Sequence, residues 1–158
     1  TFTEKKRGVL AHAAAERFQA LLADGRELSG ARDCALEAAL LDAPPDESLR
    51  ETLRRDLAAM LDWLAAQPGF EEYLRKGLAE RDILDARAEK RRPDLLVRLP
   101  ERTVIIDYKT GAASEEHAAQ VRRYLALAGA LPGAPREAVG YLAYLDQRTL
   151  REVRPEAS

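Results

Sequence analysis

Near residue 77 the apolar residues of this chain change from helical to alternating spacing, and that change limits the fold more than any other feature. Before it, residues 3–23 read as a helix with Leu10, Ala14, Phe18 and Leu21 on one stripe, ended by Gly25. Residues 31–41 read as a second helix, stopped by Pro44-Pro45. Ser48-x-x-Glu51 is a capping-box pattern that opens, or lies just inside, a third helix reaching about Gln67. Pro68-Gly69 breaks it, and a short helical piece covers residues 70–76. After the change, residues 78–87, 94–99 and 103–108 read as strands, with Pro100-Glu101-Arg102 a tight connection between the last two. Ser114 is a plausible N-cap for a helix to about Leu131, and residues 138–145 and 149–153 read as two further strands. The expected class is α/β: a mainly helical part over 1–77, then a βββαββ core over 78–158 holding a small mixed sheet flanked by helices.

The strand Val104-Ile105-Ile106 ends in Asp107 and, two residues on, Lys109. A strand has a side-chain period of 2, so both project from one face. Burying charge costs several kcal/mol unless compensated, so an apolar strand does not end this way without a reason. Asp94 follows Pro93, thirteen positions before Asp107, and opens a second short apolar strand. If the two strands are antiparallel neighbours, two carboxylates and one ammonium converge. Hard oxygen ligands beside a fixed cation suit a Mg²⁺-dependent phosphodiester hydrolase.

Other candidates have bland alternatives. His12 lies about 200° around its helix from Leu10, on the side of Lys5, Glu16 and Gln19, so it is not a core histidine. By itself it is a solvated histidine as readily as a ligand. Gly8, four residues earlier, permits close approach of a strand or of DNA. Glu80 and Asp82 share one strand face, and an exposed strand carboxylate fits Glu80 equally well. Gln120 and Tyr124 share a helix face at i, i+4, where Tyr124 could simply pack in the core.

Taken together, Pro93-Asp94 and Asp107-x-Lys109 resemble the PD-(D/E)xK nuclease signature. The wording Ile106-Asp107-Tyr108-Lys109-Thr110-Gly111 resembles its RecB-like branch, the nuclease domains of helicase–nuclease complexes of the RecBCD and AddAB type. Gly8-Val9-Leu10-Ala11-His12 is similar to that branch's Gly-x-x-x-His helix, and Gln120-Val121-Arg122-Arg123-Tyr124 to its Gln-x-x-x-Tyr motif. The resemblance runs in the family's order from residue 8 to residue 124. It implies a restriction-endonuclease-like core and an exodeoxyribonuclease V-like enzyme of double-strand break repair, cutting single strands delivered by a helicase. It implies His12, Asp94, Asp107 and the Tyr108 main-chain carbonyl as ligands of Mg²⁺, for which Mn²⁺ or Ca²⁺ could substitute. Lys109 would polarise the attacking water and stabilise the pentacovalent charge. Glu80 would hold a second metal or a water, and Gln120 and Tyr124 would support the site. The implied partners are DNA, chiefly single-stranded, the helicase domain of the same parent chain, and further subunits of the complex. Many branch members read Gly-x-x-Asp-Arg where this chain has Arg92-Pro93-Asp94-Leu95-Leu96, so an arginine that helps bind DNA is lost. The rivals are a catalytically silent DNA-binding or scaffold domain and a stand-alone endonuclease.

Composition sets outer bounds. A chain of 158 residues is expected to form one domain able to bury about two-thirds of its unfolded surface. With 46% apolar and 33% charged residues it reads as soluble and globular. No apolar run approaches the roughly 18 residues of a membrane span. A net charge of −2 argues against DNA binding by bulk electrostatics. Local basic groups remain at Lys5-Lys6-Arg7, Lys90-Arg91-Arg92 and Arg122-Arg123, of which Arg92, Arg122 and Arg123 are the DNA-binding candidates. The single Cys34, in a helical pattern, is expected to be a small buried hydrophobe. One cysteine forms no intrachain disulfide, suits a reducing cytoplasm, and cannot alone hold the four-cysteine iron–sulfur cluster of some relatives. The chain opens Thr1-Phe2 without Met and is expected to be excised from a longer helicase–nuclease polypeptide.

Overall fold

The computed structural model describes residues 2–79, 83–84 and 90–156. Within them, helices α1 (Glu4–Ala23), α2 (Leu28–Leu40), α3 (Glu47–Ala66) and α4 (Phe70–Lys76) come first. Strands β1 (Leu78–Ala79), β2 (Ile83–Leu84), β3 (Lys90–Arg91), β4 (Leu95–Arg98) and β5 (Arg102–Lys109) follow. Helix α5 (Glu115–Gly129) and strands β6 (Glu137–Tyr144) and β7 (Thr149–Val153) complete the order. The main sheet runs β1-β4-β5-β6-β7, with β5 and β6 parallel and the other neighbours antiparallel. It is the small mixed α/β sheet expected from the pattern, consistent with a restriction-endonuclease-like core.

Strand periodicity divides the core in two. Val104, Ile106 and Tyr108 of β5 face one way, into a cluster with Leu10, Phe18, Leu57 and Leu61 of the first helices. Ile105 faces the other way and packs with Val121, Tyr124 and Leu125 of α5. Helix α5 lies close on β6: a Cβ on Gly140 would come 2.3 Å from Val121 Cγ1. The sheet is thus covered on both faces, which suits a chain whose β5 is buried along its length.

Two local expectations change, the pairing within 78–87 and the burial of Cys34. The residues described within the strand expected over 78–87 belong to two ladders: Leu78–Ala79 pairs with β4, whereas Ile83–Leu84 pairs with Lys90–Arg91. The apolar residues Leu78, Ile83 and Leu84 do not share one alternating phase, so no single register serves them all. Glu80 and Asp82 lie outside the described residues. Asp46 caps α3, its carboxylate accepting the Leu49 N–H at 3.1 Å, so Ser48-x-x-Glu51 lies just inside the helix, one of the two placements expected for it. Cys34 is exposed, because the buried face of α2 is formed by Ala31, Ala35, Leu36, Ala39 and Leu40 and Cys34 lies on the opposite side. No helix among the described residues is long and apolar enough to cross a membrane.

Candidate metal-dependent active site

Register brings the two aspartates together. β4 pairs antiparallel with β5 through Leu95 and Ile106, so Asp94 and Asp107 meet one step beyond the ladder. The Asp94 N–H donates to Asp107 Oδ1 at 3.3 Å, and the Tyr108 N–H donates to Asp94 Oδ2 at 2.7 Å. Each carboxylate therefore holds the other strand's main chain. Lys109 lies on the Asp107 face, as the period of 2 requires. Its Nζ donates to Asp107 Oδ2 at 3.0 Å and to Gln120 Oε1 of α5 at 3.1 Å. One turn further along α5, Tyr124 is buried in the core and its hydroxyl donates to the Arg92 carbonyl at 3.4 Å. Packing and a tie to the chain entering β4 are thus both present in Tyr124.

From the other face of the sheet, α1 supplies the remaining groups. His12 Nε2 lies 3.2 and 3.3 Å from the two Asp94 carboxylate oxygens, and Nδ1 lies 3.2 Å from Glu16 Oε1. The His12 ring meets the Tyr108 ring edge-on at 5.7 Å between centroids. Gly8 makes this approach possible: a Cβ there would stand 2.7 Å from Thr110 Oγ1, at the end of β5. His12, Glu16 and Asp94 offer ligand atoms that all lie within 4.8 Å of one another, close enough to hold a metal ion. Asp107 sits just outside that set, against Asp94 and Lys109. Glu16 was absent from the sequence-derived candidates. The signal was its i, i+4 spacing from His12, which puts both on one helical face. Of the arginine candidates, Arg92 and Arg123 are exposed and Arg122 is half-buried, with Arg123 3.8 Å from Glu116.

Charge crowding dominates the electrostatics. Burial pushes the Asp107 carboxyl up, repulsion from Asp94 adds to it, and the opposing Lys109 leaves it at about 6. Burial also acts upward on Asp94. Its hydrogen bonds to His12 and Asp107, the His12 charge and the Tyr108 N–H outweigh that and hold it below the usual carboxylate range. The hydrogen bond to Asp94 raises His12 above an ordinary histidine despite its burial, helped by the charges of Asp94, Glu16 and Asp107. The site thus carries more negative charge than one lysine balances and retains protons in compensation. A donor set of three carboxylates and one imidazole at such a place fits a hard divalent cation, the imidazole being its softest member.

The sequence model of the PD-(D/E)XK nuclease superfamily matches residues 1–157, nearly the whole chain. No curated protein is significantly similar to it.

Proposed function

Because the chain belongs to the PD-(D/E)XK nuclease superfamily of metal-dependent nucleases, we propose that it is a Mg²⁺-dependent DNA nuclease domain of RecB-like type. In this reading it degrades single strands delivered by a helicase motor of the same polypeptide, in double-strand break repair. The observation that carries the reading is the meeting of Asp94, Asp107 and Lys109 at the end of β5 with His12 arriving from α1.

His12, Asp94 and Asp107, with the Tyr108 carbonyl and Glu16, would hold the metal. A dication bound there supplies a water of lowered pKa and a positive contact for the scissile phosphate. The residues of the chain do the rest. Asp94 and Asp107 fix each other through main-chain hydrogen bonds, so their carboxylates are set before substrate arrives. Lys109 is clamped by Asp107 and Gln120, which occupy two of its three N–H donors. The third has no partner among the described residues and would serve an attacking water or a phosphate oxygen, where an ammonium stabilises charge that develops only in the transition state. His12 is oriented at both ring nitrogens, by Asp94 and Glu16.

The test is degradation of single-stranded DNA at low salt with Mg²⁺ or Mn²⁺. Asp107→Ala removes a ligand and should abolish cleavage. Lys109→Ala leaves the ligand set in place and should cost on the order of 10²–10³ in rate with ion binding largely retained. Both variants should stay folded, because the apolar strand Val104–Ile106 is untouched. Equal degradation by wild type and Asp107→Ala would overturn the nuclease reading in favour of a DNA-binding scaffold. The same conclusion follows if wild type stays inactive even when joined to its helicase.

A further inference from the structure

A cleft of 420 Å³ opens beside the candidate site, between the first turns of α1, one face of α3 and the loops after β5 and β6. It is within the range of about 300–1,000 Å³ that small-molecule sites occupy. It lies outside the carboxyl ends of the parallel pair β5 and β6, where α/β sheets characteristically bind ligands. It also abuts the site, since Gly8 and Thr110 line it. Gly8 is one helical turn from His12, and Thr110 directly follows Lys109.

The cleft is built rather than incidental. The Leu145 N–H donates to the Lys109 carbonyl at 2.9 Å, and the Gly111 N–H donates to Asp146 Oδ2 at 2.9 Å. Gln147 Nε2 donates to the Gly111 carbonyl. Arg148 crosses to α3, donating to the carbonyl and carboxylate of Asp56, both at 3.0 Å, and to the Leu145 carbonyl at 2.8 Å. It does so at φ 53, which for a non-glycine residue is a cost accepted for that position. These bonds tie the end of the catalytic strand to α3 and fix the width of the cleft.

Its lining is divided by chemistry. Leu53, Leu57 and Met60 give an apolar floor on one face of α3. Lys5 and Arg7 on α1 are exposed, with the Arg7 guanidinium 5.7 Å from the centroid of the Phe2 ring. The carboxylates of Asp56 and Asp146 are engaged by Arg148 and the Gly111 N–H, and Glu4 sits in the first turn of α1, where the helix dipole favours it. An apolar floor with two exposed cations beside it, the third lining cation Arg148 being engaged by Asp56, one step from a phosphodiester-cleaving centre, matches a nucleotide. We infer that this cleft is a subsite for the nucleotide next to the scissile phosphate, its base on the Leu53, Leu57 and Met60 floor and its phosphate at Lys5 and Arg7. The inference rests on the nuclease reading above and names where the strand is gripped.

Met60 is the chain's single methionine, so ¹³C labelling of the methionine methyl gives one resonance, from the floor of the cleft. With metal removed by EDTA, to separate binding from hydrolysis, a short oligodeoxyadenylate is titrated into the whole chain. A saturable shift of the Met60 methyl and a nuclear Overhauser contact between it and adenine protons are expected. Lys5→Glu with Arg7→Glu should weaken that binding by about tenfold or more, and the loss should shrink at high salt. Absence of the Overhauser contact, or unchanged affinity in the double variant, overturns the subsite. If DNA cleavage still depends on Asp107, the nuclease reading survives that result, so the two failures are distinguishable.

Discussion

Tyr108 meets the site with its N–H and its ring, and its hydroxyl is left over. The N–H is bound by Asp94 and the ring lies edge-on to His12, but the hydroxyl is buried with no hydrogen-bond partner among the described residues. Burial, with the charges of Asp94, Glu16 and Asp107, raises its pKa, so it stays neutral. An unpaired buried hydroxyl costs about 1–3 kcal/mol of desolvation that Phe would not incur. Tyr108→Phe should therefore leave stability unchanged or raise it by about 1–2 kcal/mol, measured by urea unfolding, with nuclease rate changed less than about threefold. A loss of stability would show that the hydroxyl is bonded in solution. At this scale the shared face of Asp107 and Lys109 was legible from the strand period, whereas the antiparallel pairing that brings Asp94 beside them was only a condition in the sequence and is supplied by the β4–β5 register. Glu16 was not legible, since a carboxylate on a polar helix face is ordinary until the face meets something.

The polar face of α1 meets the end of the sheet and α4. His12, Glu16 and Gln19 follow one another at helical spacing along it. Gln19 is buried, and its Nε2 donates to the Leu74 and Gly77 carbonyls at 3.0 and 3.1 Å. It thereby caps the C-terminal end of α4, whose last carbonyls have no helical partner. Gln19→Leu would leave both acceptors buried and unpaired. The expected cost is about 1–3 kcal/mol in urea unfolding, with the metal ligands still in place. Cleavage per folded molecule should fall only modestly, since Gln19 sits two turns from His12. A sequence pattern marks this face only as polar, because polarity is the same whether the partner is water or a strand end. The helices themselves were readable, apart from α2, which begins at Leu28, three residues before the expected start and without a side-chain cap. The partners taken by Leu78–Ala79 and Ile83–Leu84 were not, because pairing is decided by tertiary register rather than by local alternation.

Across the whole molecule, the site straddles the sheet: α1 approaches from one face, α5 from the other, and both layers deliver groups to the end of β5. Such an arrangement concentrates negative charge where little water can screen it, and the ion-free chain answers with protons. Asp107 is raised to about 6, so its stabilising contribution is complete below the unfolded value of 3.8 and is lost as pH rises through about 6. His12 is also raised, so its contribution is present below 6.5 and is lost as pH rises through its folded value. Asp94 is lowered, so its contribution is already complete above 3.8 and is lost only in stronger acid. Between pH 5 and pH 8 these two contributions decline, while that of His117, held below 6.5 by burial and the Lys109 charge, grows and offsets part of the loss. The ion-free chain should therefore be less stable at pH 8 than at pH 5, by on the order of 1 kcal/mol from Asp107. A divalent ion reverses the trend, because it binds the deprotonated ligands and displaces their protons. Excess Mg²⁺ or Mn²⁺ should raise Tm more at pH 8 than at pH 5, and calorimetry in buffers of different ionisation enthalpy should register proton release on binding. Asp107→Asn should flatten most of the ion-free pH slope and weaken the ion's effect. An ion-free Tm that climbs from pH 5 to pH 8, or ion stabilisation independent of pH, would mean that these carboxylates and His12 do not act as one coupled cation site.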